Sequence, residues 1–226
     1  MNFLGLLLVA LDTTILMGNF VLKRESFYGR YPMVFAITKM LIIPFIFLHL
    51  YLNMDSVPLL VGLFTLFSGI GDILLLGRQF LHNVTGCFSF FLAHSSLIKY
   101  YDNVFVKPSW VAIAFCLPQM FLLFGYLGKI ILKKPQYSAG FLYLGILSLG
   151  LLSAFNRYYV YGLSLTFFCA YLGQTIFIIS DTALFAGIFL DVETAHNILV
   201  LPTYILALVL ISTGVILGEK RFEVIN

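Results

Sequence analysis

Long apolar stretches, separated by short polar breaks, fill the chain from end to end. A hydrocarbon core about 30 Å thick takes about 20 apolar residues in an α-helix. Runs of that length, bounded by charge, Pro or Asn/Asp, occur near 2–22, 31–52, 57–77, 83–101, 109–132, 137–155, 159–189 and 195–217. The fourth is less apolar than the others, and the seventh is long enough to tilt or break. The runs are continuous, whereas a transmembrane β-barrel would alternate apolar and polar every second residue. Helices satisfy their own backbone groups within the bilayer. The pattern therefore predicts an all-α, polytopic membrane helix bundle with eight transmembrane helices, forming one domain over 1–226. Short connections predict antiparallel neighbours. No linker, low-complexity tract or internal repeat is visible. The first run follows Met1 and Asn2 without a basic segment, carries Asp12 and lacks a small-residue cleavage site, so it reads as a retained span.

Composition sharpens this picture. Hydrophobic residues make up 61% and charged residues 10% of the 226 positions, with a mean hydropathy of +1.02. Soluble domains carry about 25% charged residues, so this chain lacks the polar surface to cover a soluble globule. The net charge of +3 and the absence of any basic tract longer than a pair argue against nucleic-acid binding. Cys87, Cys116 and Cys169 lie far apart in apolar runs and read as small buried hydrophobes, with no metal-ligand spacing. The chain is expected to be integral and multi-pass, in the endoplasmic reticulum or another internal membrane of a eukaryote or the inner membrane of a bacterium.

Eight spans place both termini on one face. The loops after spans 1, 3, 5 and 7 define the other, here the odd face, with Lys23, Arg24, Arg30, Arg78, Lys133 and Lys134. The opposite face has Lys99, Lys107, Arg157, Lys220 and Arg221, too even a balance for the positive-inside rule to decide. Lys23 and Arg24 lean the odd face toward the cytoplasm. The sequon Asn83-Val84-Thr85 points the other way, but it sits at a helix start and reads as unused.

Ionisable residues inside spans cost about 2.5–3.5 kcal/mol each even on the mild insertion scale, which makes each a functional candidate. They are Asp12, Lys39, Asp72, His94 and Asp181, with Tyr204 adding a phenol. Spans 3 and 7 run toward the odd face, and Asp72 and Asp181 come late in them. Spans 2, 4 and 8 run away from it, and Lys39, His94 and Tyr204 are placed in their first halves, roughly 8–12 residues deep. The threading thus predicts one polar pocket in the odd-face half of the bundle. Ser68 and Asp72 share a helix face, as do Gln174 and Asp181, while Gly69 and Gly71 permit close helix approach. Pro44 and Pro118 fall inside spans, and Pro202 falls near the start of the last. Plainer readings stand beside these: Lys39 with Asp72 as a structural ion pair, His94 as a helix-to-helix hydrogen-bonding residue, Tyr204 as an ordinary bundle tyrosine, and Asp12 as structure or pocket rim.

Three segments resemble the YhhN-type lysoplasmalogenase family. Phe67-Ser68-Gly69-Ile70-Gly71-Asp72-Ile73-Leu74-Leu75-Leu76 is similar to its FSxxGDxxL segment, and Phe90-Phe91-Leu92-Ala93-His94 to its F-x-x-x-H. Gly173-Gln174-Thr175-Ile176-Phe177-Ile178-Ile179-Ser180-Asp181 is similar to GxxxFxxSD. Lys39 and Pro44 stand where the family has a Lys and a Pro, and Thr203-Tyr204 matches its TYYxAQ element. The resemblance runs in order from about 35 to 215. Departures include Leu208 for the family's glutamine, Ile205 for its second Tyr, Gln174 and Thr175 for small or apolar residues, and Ala186 and Gly187 for Asn/Lys.

The resemblance implies hydrolysis of the vinyl ether bond of lysoplasmalogens to a fatty aldehyde and a glycerophospho-ethanolamine or -choline. Such a reaction begins with protonation of the β-carbon, and water then captures the oxocarbenium ion. It needs a carboxylic acid still protonated near neutrality, a form that low dielectric and a neighbouring carboxylate both favour. Asp72 and Asp181 are the candidate catalytic pair, acting as acid and base in either order. Lys39, Ser68, His94, Gln174, Ser180 and Tyr204 are the candidate supporting or substrate-binding residues. No metal or other cofactor is expected. The expected partner is a lysophospholipid reaching the pocket sideways from the bilayer. Two other classes compete. Gly69-Ile70-Gly71-Asp72 fits the GxGD motif of intramembrane aspartyl proteases, but no Tyr-Asp pair precedes it and no Pro-Ala-Leu occurs. A small transporter or proton-coupled carrier would also bury Asp, Lys and His, although no inverted repeat accompanies them.

Overall fold

The computed structural model describes residues 32–77, 79–102, 109–133, 140–161, 164–190 and 193–225. Seven α-helices occupy them: α1 Pro32–Asn53, α2 Leu59–Leu74, α3 Phe80–Asp102, α4 Trp110–Lys133, α5 Gly140–Val160, α6 Leu165–Leu190 and α7 Glu193–Ile225. They correspond in order to the second through eighth expected spans. The expected first span and Asp12 lie outside the described residues. Three stretches, Gly140–Val160, Leu165–Phe185 and Val200–Glu219, are each long and apolar enough to cross a membrane; Lys39–Asn53, Leu59–Leu74 and Trp110–Gly125 are shorter apolar helices.

Local chemistry sets the helix ends. Pro58 precedes α2, and its carbonyl accepts from Val61 and Gly62, each at 3.0 Å. At the other end Leu76 and Gly77 switch to bonds three residues back, onto Ile73 and Leu74, which closes α2 after 16 residues. Its expected span of 57–77 is therefore trimmed at both ends, and Asp72 falls in the last turn. The boundary between the sixth and seventh spans also shifts. Arg157 belongs to the last turn of α5 and is buried, so it is not the loop charge assumed for the face opposite the odd one. α6 begins at Leu165 rather than near 159.

The helix pairs close a ring: α1 packs on α2, α2 on α3, α3 on α5, α5 on α6, α6 on α7, and α7 back on α1. α4 stands outside it, against α5 and α6. Helix polarity is inverted relative to a soluble bundle. On α2 the exposed positions are Leu59, Leu66, Ile70 and Ile73, while Thr65, Ser68 and Asp72 are buried. Exposed Trp110, Phe115, Phe121 and Leu122 give α4 the same apolar exterior. Small residues let the ring close tightly. A Cβ on Gly214 would lie 2.7 Å from the Ala170 backbone nitrogen, and one on Gly173 would lie 2.8 Å from that of Ile211, so α6 and α7 touch through their backbones. Gly71 accepts the ring of Phe90 from α3, and Gly69 accepts Ile43 from α1, so the two glycines, two positions apart, serve different neighbours.

Candidate active site

Each ring helix delivers polar side chains inward. α1 contributes Lys39, α2 Ser68 and Asp72, α3 His94, α5 Tyr143, α6 Gln174 and Asp181, and α7 Tyr204. Of these, all but the partly buried Lys39 are buried. An ionised carboxylate needs donors or a cation when water is excluded, and both Asp residues have partners. Asp72 lies with Oδ1 3.7 Å from Lys39 Nζ and accepts at Oδ2 from the Tyr204 hydroxyl at 2.7 Å. Asp181 accepts at Oδ2 from the Tyr143 hydroxyl at 2.5 Å. Asp72 and Lys39 both lie within coulombic range of Asp181, and Tyr204 is within range of both carboxyl groups. The two acidic residues, more than a hundred positions apart in sequence, thus belong to one electrostatic cluster.

His94 occupies a second, deeper layer. It lies past the midpoint of α3 rather than in its first half, and its ring is set edge-on against Phe177 at 4.5 Å and Phe64 at 6.1 Å. Its Nδ1 lies 3.2 Å from Gln174 Nε2. With the Gln174 amide nitrogen facing it as donor, Nδ1 is the acceptor of this pair. Nε2 of His94, Oε1 of Gln174 and Oγ of Ser68 have no hydrogen-bond partner among the described residues. Phe177 also meets Tyr204, at 5.6 Å, and so stands between the two layers. Seven residues separate Gln174 from Asp181, about 10 Å along a helix. The structure therefore gathers Lys39, Asp72, Asp181 and Tyr204, and sets His94 with Gln174 apart from them. Ser180 is engaged elsewhere: its hydroxyl donates to the Val200 carbonyl at 2.8 Å and ties α6 to α7. Leu208 is fully buried core.

Two members of the cluster escaped the sequence reading. Tyr143 lies in the first turn of α5, on a span running away from the odd face, so the depth rule applied to Lys39 and Tyr204 places it with them. Its residue type alone carries no signal, because the chain has 13 tyrosines. Cys87, expected to be a small buried hydrophobe, is within coulombic range of Asp181 and Tyr143. Nothing in its sequence neighbourhood signals this. Among the described residues no group of three or more His, Cys, Asp or Glu side chains is placed to hold a metal ion.

A helix bundle with an apolar exterior and a buried acidic cluster toward one end is the architecture of a multi-span membrane protein with an internal polar site. The comparison with protein families gives the narrower assignment. The model of the YhhN family matches residues 34–215, and the chain belongs to that family. No curated protein and no solved structure gives a match.

Proposed function

We propose that this protein is a membrane-embedded hydrolase that cleaves the vinyl ether bond of lysoplasmalogens, releasing a fatty aldehyde and a glycerophospho-ethanolamine or -choline. In this reading it spans the bilayer eight times, the run near 2–22 adding to the seven described helices. The observation that supports it is that Asp72 pairs with the cation Lys39, and that Asp72 and Lys39 both lie within coulombic range of Asp181.

Charge counting shows why that arrangement suits the reaction. One Lys ammonium and two carboxyl groups sum to zero when the pair holds a single proton, and a low-dielectric interior penalises any other total. The resting site therefore contains one carboxylic acid and one carboxylate. The acid protonates the vinyl β-carbon and forms an oxocarbenium ion. The new positive charge then faces two carboxylates and one ammonium, so neutrality is kept. Water adds to the α-carbon and gives up a proton to a carboxylate. The hemiacetal collapses to aldehyde as the glycerol oxygen is protonated and leaves. General acid–base assistance of this kind contributes about 10²–10⁴-fold in rate.

Lys39 is the partly exposed edge of the cluster, its side chain 14% accessible. Ile37, Met40 and Leu41 around it are exposed on α1. A single-chain lipid sliding in beside α1 would keep its tail among apolar side chains while its phosphate meets Lys39. The test is aldehyde release from a lysoplasmalogen by purified protein in detergent. Wild type is expected to release aldehyde. Asp72→Asn and Asp181→Asn are each expected to lose at least about a hundredfold in rate with unchanged helical content. Full activity in both variants would refute the reading. Absence of product with wild type would favour a carrier.

A further inference from the structure

The two carboxyl groups have different surroundings, and the difference assigns their roles. Each accepts one tyrosine hydroxyl, Asp72 from Tyr204 at 2.7 Å and Asp181 from Tyr143 at 2.5 Å, so the number of phenol donors does not distinguish them. The cation does. Lys39 lies 3.7 Å from Asp72, and among the described residues no cation is within salt-bridge distance of Asp181. The groups acting on Asp181 are Tyr143, Asp72 and Lys39, with Cys87 and Tyr204 also within its range. A negative charge shared between two sites settles beside the nearer cation, because coulombic energy falls with distance.

We propose that Asp181 is the proton donor, Asp72 the ionised partner, and Tyr143 the residue that positions the donor's proton. This rests on the vinyl ether reading for its substrate, but not for the location of the proton. Tyr143 donates to Oδ2 of Asp181, which makes that oxygen the carbonyl of the acid and leaves the proton on Oδ1. That proton passes to the β-carbon, the C=C π pair forms the new C–H bond, and positive charge moves to the ether oxygen and α-carbon. Asp72, steadied by Lys39 and Tyr204, faces the cation. It then removes a proton from the attacking water as the C–O bond forms. In the collapse, Asp72 returns this proton to the departing glycerol oxygen while Asp181 takes the hemiacetal hydroxyl proton. Both residues are back in their starting states, and the sum is the consumption of one water.

The division is readable without turnover. A protonated carboxylic acid has an infrared carbonyl stretch distinct from that of a carboxylate, and the stretch moves when a hydrogen bond to the carbonyl oxygen is removed. Purified full-length protein, Tyr143→Phe and Tyr204→Phe are compared. The acid band is expected in wild type, displaced to higher frequency in Tyr143→Phe and unmoved in Tyr204→Phe. The reverse pattern, movement in both or neither, or no acid band would overturn the assignment. If Tyr143→Phe yields no folded protein, the Tyr204→Phe spectrum decides alone: an unmoved band supports the assignment and a displaced one overturns it. In aldehyde release, Tyr143→Phe is expected to lower kcat at unchanged KM. A silent wild-type enzyme that shows the expected band shifts would refute the substrate reading and leave the proton assignment standing.

Discussion

Phe177 makes edge-on ring contacts with both His94 and Tyr204, an apolar ring touching each of the two polar layers. His94 and Gln174 answer to each other, not to Asp72 or Asp181. Gln174→Leu would strip His94 Nδ1 of its donor in a buried setting, at a cost of about 1–3 kcal/mol. A lowered unfolding midpoint in detergent is expected, with far less loss of aldehyde release than either Asp→Asn variant causes. Equal loss would place the His–Gln pair in the chemistry. At this scale the sequence was readable where charge is costly: Asp72, Asp181 and Lys39 stand out because a bilayer interior rejects them. Tyr143 did not stand out, because a phenol is tolerated almost anywhere in a span. His94 was visible as a residue but not as a neighbour, since its depth depends on where α3 begins and on which ring faces it.

Helices α1–α3 and α5–α7 each add a polar group to the interior, whereas α4 reaches the ring from outside, its Gln119 amide donating to the Tyr171 hydroxyl of α6 at 3.3 Å. The helices are legible from run length: α1 to α7 follow the expected order, and three of them carry stretches long and apolar enough to cross a membrane. Which span stands outside the ring was not legible, because α4 is as apolar as its neighbours and the arrangement follows from small-residue contacts between other helices. Those contacts are the most exacting feature of the fold. A methyl group on Gly214 would lie 2.7 Å from the Ala170 backbone nitrogen and 2.9 Å from its Cβ, and neither atom can move without shifting a helix. Gly214→Ala is therefore expected to destabilise the α6–α7 pair by about 1–3 kcal/mol, measured as a fall in thermal midpoint. Gly62→Ala, where a Cβ meets nothing within 4 Å, serves as the control, expected to keep or raise the midpoint because Ala is the better helix former.

Across the whole molecule the bundle has two unlike ends. Near the odd face lies the acidic cluster, and near the other the buried guanidinium of Arg157 stands 5.2 Å from the Tyr100 ring, 5.5 Å from Tyr101 and 5.3 Å from Phe167. Tyr100 donates to Glu219 of α7 at 2.5 Å, which joins α3, α5, α6 and α7 at this end. Desolvated cation–π contacts are worth about 2 kcal/mol each, so Arg157→Leu is expected to lower thermal stability while leaving the acid carbonyl band in place. Loss of that band would show the two ends to be coupled. From sequence, Arg157 looked like a loop charge only because the end of α5 was set too early.

The account as a whole stands on Asp72 and Asp181 working as one unit across the ring, and a double-variant comparison of aldehyde release tests this most directly. Residues that act as a unit are non-additive. Asp72→Asn, Asp181→Asn and the double variant are expected to fall to the same residual rate. A double variant slower than both by the product of the single losses would mean two independent groups, and would contradict the account.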